Sequence, residues 1–225
     1  MTMRGNVLVG LQERASMPPY ASEKAAKPQL RCIGQRAAEG VPRKREICIY
    51  IGGYHAGKEP TVIHTVLGSC VAVCLLDPAS RIGGMNHILL PGRADMKHFD
   101  CSARYGINAM ELLINRIMRL GGRRENLVAK IFGGAHLLPS ISLENGTGRK
   151  NVEFVQEFLR LESIETVSMD VGGTQYRKIL LHTDTGEVLL KRGKSSQAFN
   201  LAAIENNSLE SVRKTSKYPG KITLF

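Results

Sequence analysis

Thr61-Val62-Ile63-His64-Thr65-Val66-Leu67-Gly68-Ser69-Cys70-Val71-Ala72-Val73-Cys74-Leu75-Leu76 reads as two apolar strands, Thr61–Val66 and Cys70–Leu76, parted by a glycine turn. β-branched residues crowd both halves, and neither is long enough for a buried helix. A third strand follows at Ile82–Leu90, bounded by Pro91. Upstream, Ile47, Ile49 and Ile51 alternate with Cys48 and Tyr50 until Gly52-Gly53 breaks the run. Downstream, Leu127–Phe132 and Ile164–Met169 are further strands. Arg177–Thr183 and Glu187–Lys191, joined by Asp184-Thr185-Gly186, read as a hairpin.

Two segments carry the helical period instead. From Ser102 to Leu120, Ile107, Met110, Ile114 and Ile117 recur at three and four residues, with Ser102 as the expected N-cap and Gly121-Gly122 as the stop. From Asn151 to Glu162, Val152, Val155 and Leu159 line one face, and Asn151 is placed to cap. Clustered strands with two separated helices predict an α+β fold rather than an alternating parallel sheet.

The same opening stretch carries the strongest chemical signal. Cys70 follows Gly68-Ser69 where a turn feeds a strand, so its sulfur can lie beside backbone N–H groups able to hold an oxyanion. His87, seventeen residues on, can take the thiol proton and pass it to a leaving nitrogen. The competing reading makes Cys70 a small buried hydrophobe and His87 a satisfied core histidine. The glycine turn favours the nucleophile, because it adds close approach and donors without adding packing. His98, in Lys97-His98-Phe99-Asp100, is expected to face solvent. Gly133-Gly134 and Gly172-Gly173 are expected to mark turns at strand ends, and to open a path for a substrate.

Two other patterns fail on physical grounds. Gly52-Gly53-Tyr54-His55-Ala56-Gly57-Lys58 imitates a phosphate loop, but Glu59 stands where a hydroxyl should reach magnesium, and Pro60 then leads into a strand rather than a helix. Cys70, Cys74, Cys101 and His87 are zinc-type residues, but two cysteines four apart on a strand lie roughly 13 Å from each other. No metal or cofactor site is expected.

The 225 residues are 43% hydrophobic, enough for one domain with extensions. Residues 1–45 hold nine Lys or Arg against three Glu and no sustained period, and read as a basic, disordered extension. The globular domain then spans 46–192, and 193–225 forms a basic, partly ordered tail. No stretch resembles a membrane span or a secretory signal, so a cytoplasmic location is expected. Five cysteines at irregular spacing are expected to stay reduced. The formal charge of +11 favours acidic partners, while the absence of tryptophan and the 5% aromatic content speak against a nucleic-acid platform.

Several motifs, in order, give the chain a resemblance to the CheD chemoreceptor glutamine deamidases of bacterial chemotaxis: Leu67-Gly68-Ser69-Cys70-Val71, Asp77-Pro78, Gly83-Gly84-Met85-Asn86-His87, Ile131-Phe132-Gly133-Gly134-Ala135, Arg149-Lys150-Asn151-Val152 and Asp170-Val171-Gly172-Gly173. The resemblance runs from about Ile47 to Leu190. It implies a layered α/β/β fold related to toxin-type deamidases, with no cofactor. It implies Cys70 as nucleophile, His87 as its base and an upstream threonine, assigned to Thr65 with His64 as the rival. A one-residue slip on a strand turns a side chain to the other face, so only one of these two can serve. The activity implied is hydrolysis of receptor glutamines to glutamate through a cysteine thioester. The partners implied are the cytoplasmic helices of a chemoreceptor and, in some relatives, a CheC-type phosphatase. The alternative is a regulator that keeps the fold and binds the same partners without catalysis.

Overall fold

The computed structural model describes residues 44–137 and 146–193, with 207, 208 and 210. The chain divides into two units, 1–41 and 42–225, and all described residues belong to the second. The basic extension expected over 1–45 and the tail over 193–225 fall almost wholly outside the described residues.

Within residues 44–193, the described elements follow in the order β1 (Arg45–Cys48), β2 (Tyr54–Gly57), β3 (Thr61–Leu67), β4 (Val71–Asp77), β5 (Ile82–Asn86), α1 (Cys101–Arg119), β6 (Val128–Gly133), α2 (Thr147–Leu161), β7 (Glu165–Val171), β8 (Tyr176–His182) and β9 (Val188–Gly193). The strands form two mixed sheets, ordered β1-β3-β8-β9 and β2-β5-β4-β6-β7. In each, one pair is parallel, β1 with β3 and β6 with β7, and the other pairs are antiparallel. The α+β expectation holds.

Alternation along the strands explains the layering. On β4, Val71, Val73 and Leu75 face the helices, packing with Met110, Leu113, Ile114 and Ile117 of α1 and Val155, Phe158 and Leu159 of α2. Ala72, Cys74 and Leu76 face the other way, meeting Ile63 and Leu67 of β3 and Ile179 and Leu181 of β8. Helices, five-stranded sheet and four-stranded sheet therefore stack in three layers around two apolar cores. β4 is buried along its whole length because it has a core on each face, and so its sequence is continuously apolar. Each large aliphatic side chain here contributes about 1.5–3 kcal/mol by leaving water.

The helix starts differ from expectation. α1 is capped by Asp100, whose carboxylate accepts the Ala103 N–H at 2.7 Å, and Ser102 lies inside the helix. α2 begins at Thr147 behind Gly146, so Asn151 is an interior residue and not its cap. β2 had no signal of its own in the sequence; it forms as an edge strand held by the β5 ladder from Tyr54 opposite Asn86 to Gly57 opposite Gly83. The phosphate-loop lookalike is this strand and its flanking turns, with no helix terminus to face an anion.

Candidate active site

Two chain crossings between the sheets create the site. β3 belongs to the four-stranded sheet and β4 to the five-stranded one, so Gly68-Ser69-Cys70 is the passage from one to the other. β1 and β2 are likewise in different sheets, and the turn between them returns at Tyr50, whose carbonyl accepts the Gly53 N–H at 2.8 Å. That turn holds the main chain of His87 on both sides. Gly52 N–H donates to the His87 carbonyl at 2.8 Å, and His87 N–H donates to the Gly53 carbonyl at 3.0 Å.

Cys70 and His87 share one face of the five-stranded sheet. Beyond the end of β5 the antiparallel register continues, with Val71 opposite Ile88 just as Cys74 is opposite Met85. Cys70 and His87 are thus diagonal neighbours on the side that looks into the inter-sheet layer, a spacing of about 7–8 Å between backbones that long side chains bridge. Cys70, Ala72, Cys74, Met85 and Leu89 all belong to that inter-sheet core.

From the opposite sheet, Ile63, Thr65 and Leu67 face the same layer and are nearly or fully buried. Thr65 Oγ1 lies 2.8 Å from His87 Nδ1 and donates to the Ile49 carbonyl at 2.8 Å. A threonine hydroxyl has one proton. Since that proton goes to Ile49, the hydrogen between Thr65 and His87 must sit on Nδ1, and the Nε2 lone pair is free to accept. Among the described residues, Nε2 of His87 is the buried side-chain nitrogen or oxygen left without a hydrogen-bond partner. Burial pushes the imidazole pKa down to about 3, so the ring is neutral around pH 7.

His64 points away from this layer. It is one residue out of phase with Thr65, and its pKa is lowered first by burial and then by Lys178, with Glu46 opposing. The structure brings Cys70, His87 and Thr65 to one layer and leaves His64 on the other face of β3. Cys74 shares the layer too, but desolvation raises its thiol to about 12, which keeps it protonated and inert. His98 is an exposed residue paired with Asp95 at 2.8 Å. Among the described residues no three His, Cys, Asp or Glu side chains gather as a metal would need.

Backbone clamps around Cys70 were not legible in the spacing of residues. The Cys70 carbonyl accepts Gly134 N–H at 2.7 Å, and the Gly68 carbonyl accepts Ala135 N–H at 2.8 Å. Gly133 makes this approach possible: its φ is +111°, and a Cβ there would stand 2.2 Å from the Cys70 oxygen. The diglycine closes onto the main chain of Cys70 instead of merely ending a strand. Asn151 adds a side-chain clamp, with Nδ2 donating to the Ser69 carbonyl at 2.9 Å and Oδ1 accepting Leu90 N–H at 3.0 Å. Cys70 itself is fully covered.

Comparison with known proteins agrees with this architecture. The family described as CheD chemotactic sensory transduction matches residues 89–192. A protein of Thiobacillus denitrificans named "Probable chemoreceptor glutamine deamidase CheD" is 42% identical over 176 residues, covering 77% of this chain and 86% of that protein. The chain belongs to the CheD family. CheD proteins of the same printed name from Hahella chejuensis, 41% identical over 177 residues and 82% of that protein, and from Shewanella oneidensis, there named CheD 1, 46% identical over 146 residues and 70% of that protein, stand beside it. The CheD match to the Thiobacillus protein spans 77% of the chain, so wherever it starts it contains Thr65, Cys70, His87 and Asn151.

Proposed function

We propose that this CheD protein hydrolyses glutamine side chains of chemoreceptors to glutamate, with Cys70 as nucleophile, His87 as proton carrier and Thr65 as the group that orients His87. The observation that carries the reading is the state of His87. Its Nδ1–H is pinned by Thr65, and its Nε2 is buried and unpartnered on the sheet face it shares with Cys70. A buried acceptor left unpaired costs about 1–3 kcal/mol, which a purely structural histidine would not retain. The names of the relatives supply the substrate class.

In this reaction the Nε2 lone pair takes the Cys70 thiol proton, and the thiolate attacks the side-chain carbonyl carbon of glutamine. The tetrahedral oxyanion draws on backbone N–H groups near Cys70. His87, a strong acid once protonated because its site disfavours charge, delivers the proton to the amide nitrogen. The C–N bond breaks and ammonia departs. Water, deprotonated by the same Nε2, then cleaves the thioester to yield glutamate and the free thiol. A glutamine side chain, narrow and two methylenes long, suits a thiol that is covered from bulk solvent.

The substrate in this reading is the cytoplasmic helical region of the receptor, and a net charge of +11 assists its capture by long-range attraction to acidic surfaces. A cytoplasmic location and a CheC-type phosphatase partner belong to the same proposal. Among the described residues no helix is long and apolar enough to cross a membrane.

The deciding experiment incubates purified protein with receptor cytoplasmic fragments and reads peptide masses. Conversion raises each modified peptide by about one dalton, and Cys70→Ala abolishes the change. Undiminished conversion by Cys70→Ala would overturn the mechanism.

A further inference from the structure

Asn151 is a fully buried amide inside α2, beside Val152 and Val155, which pack the helix onto the five-stranded sheet. Asparagine is a poor choice for a helix interior, and a buried amide is costly unless its hydrogen bonds are met. Both of its assigned bonds leave the helix, reaching Ser69 and Leu90, which lie 82 and 61 residues away in sequence. Ser69 immediately precedes Cys70. Leu90 follows His87 on the strand segment that faces Cys70.

Gly68, Ser69 and Cys70 present three successive carbonyls, and all three are claimed. Ala135 N–H holds the first at 2.8 Å, Asn151 Nδ2 the second at 2.9 Å and Gly134 N–H the third at 2.7 Å. Only the middle clamp comes from a side chain. The Ser69–Cys70 peptide is trans, so its C=O and N–H point in opposite directions. Whatever aims the Ser69 carbonyl at α2 therefore aims the Cys70 N–H away from α2.

We propose that Asn151 is a positioning residue for deamidation: its amide fixes the plane of the Ser69–Cys70 peptide and ties that turn to the strand carrying His87, setting the thiol's alignment for attack. The inference rests on the reading of Cys70 and His87 given above. Asn151 touches neither substrate nor reacting atoms; it acts through the turn.

The test compares Asn151→Asp, Asn151→Leu and a control, Phe158→Leu, which disturbs the same helix at a buried site outside the clamp. Asn151→Asp keeps the acceptor for Leu90 N–H but sets a carboxylate oxygen against the Ser69 carbonyl. Asn151→Leu removes both bonds while keeping the side chain's branched shape. With all variants held well below their melting temperatures, both Asn151 variants lower kcat on receptor fragments by about 10- to 100-fold with KM nearly unchanged. Phe158→Leu, at a comparable loss of melting temperature, keeps the wild-type kcat.

A second arm needs no receptor. Iodoacetamide labelling of Cys70, followed peptide by peptide, slows in both Asn151 variants and not in Phe158→Leu. If the wild type leaves receptor glutamines unchanged, the proposed function falls, and the labelling arm alone decides the role of Asn151. Wild-type kcat together with wild-type labelling in Asn151→Asp and Asn151→Leu overturns the inference, as does an equal kcat loss in Phe158→Leu.

Discussion

The hydroxyl of Thr65 and the Nδ1 of His87 meet at 2.8 Å across the gap between two different sheets. The contact sets the histidine tautomer, because the Thr65 proton is committed to Ile49. Thr65→Val removes the acceptor and leaves a buried Nδ1–H unpaired, at a cost of about 1–3 kcal/mol. Freed from Thr65, the ring can turn or change tautomer, and kcat on receptor fragments is expected to fall about 10- to 100-fold. Thr65→Ser should retain most of the rate. Steady-state kinetics with both variants checks this; a Thr65→Val enzyme with unchanged kcat would remove Thr65 from the mechanism.

The depressed pKa of His87 makes a claim about acid stability. Folded, the ring titrates at about 3; unfolded, near the ordinary 6.5. Between those values the unfolded chain binds a proton that the folded chain refuses, so this contribution is complete above about pH 6.5 and is lost as pH falls toward 3. The loss amounts to about 1.4 kcal/mol per pH unit crossed. Denaturant unfolding of wild type and His87→Gln from pH 7 to pH 4 should show a shallower decline in the variant. Parallel curves would mean that His87 is accessible to protons in the folded state.

A buried guanidinium ties the two sheets near the same end. Arg177 of β8 donates from Nε to Asp170 of β7 at 2.9 Å, and the other Asp170 oxygen receives Arg192. Arg177 is almost fully buried, whereas Asp170 retains some exposure. Removing the carboxylate leaves the guanidinium uncompensated, so Asp170→Asn should cost about 1–3 kcal/mol in urea unfolding. The double variant Asp170→Asn with Arg177→Met should recover part of that loss. Additive losses would show that the two side chains do not interact.

Gly84 sits where β5 passes between β2 and α1. A Cβ there would stand 2.6 Å from the Ala56 Cβ and 2.7 Å from Leu113 Cδ1. Gly84→Ala should therefore destabilise by about 1–3 kcal/mol through overpacking, visible as a lower melting temperature. A melting temperature equal to wild type would show that the edge strand yields freely.

Much of this was legible from residue order. β3, β4, β5, β6 and the β8–β9 hairpin appear within a residue or two of their sequence expectations, apart from the C-terminal end of β5, because local period and β-branched composition report burial directly. β2 carries no local signal because an edge strand of four residues borrows its order from its neighbour. The role of Asn151 is hidden from local sequence for a related reason. An asparagine before an apolar run signals a cap, and nothing local says that its amide is needed by a turn 82 residues away.

Sequence alone determined the strands other than β2, the two helices, the glycine turn ahead of Cys70 and a histidine just past the end of β5, since each is a matter of short-range pattern. Only the tertiary structure shows that Thr65, and not His64, meets the His87 ring. Side chains on a strand alternate, and which phase faces inward depends on where the partner sheet lies. The chain crosses between sheets at Gly68–Cys70 and again between β1 and β2, so Thr65 and His87 come from different sheets and meet only once both are stacked.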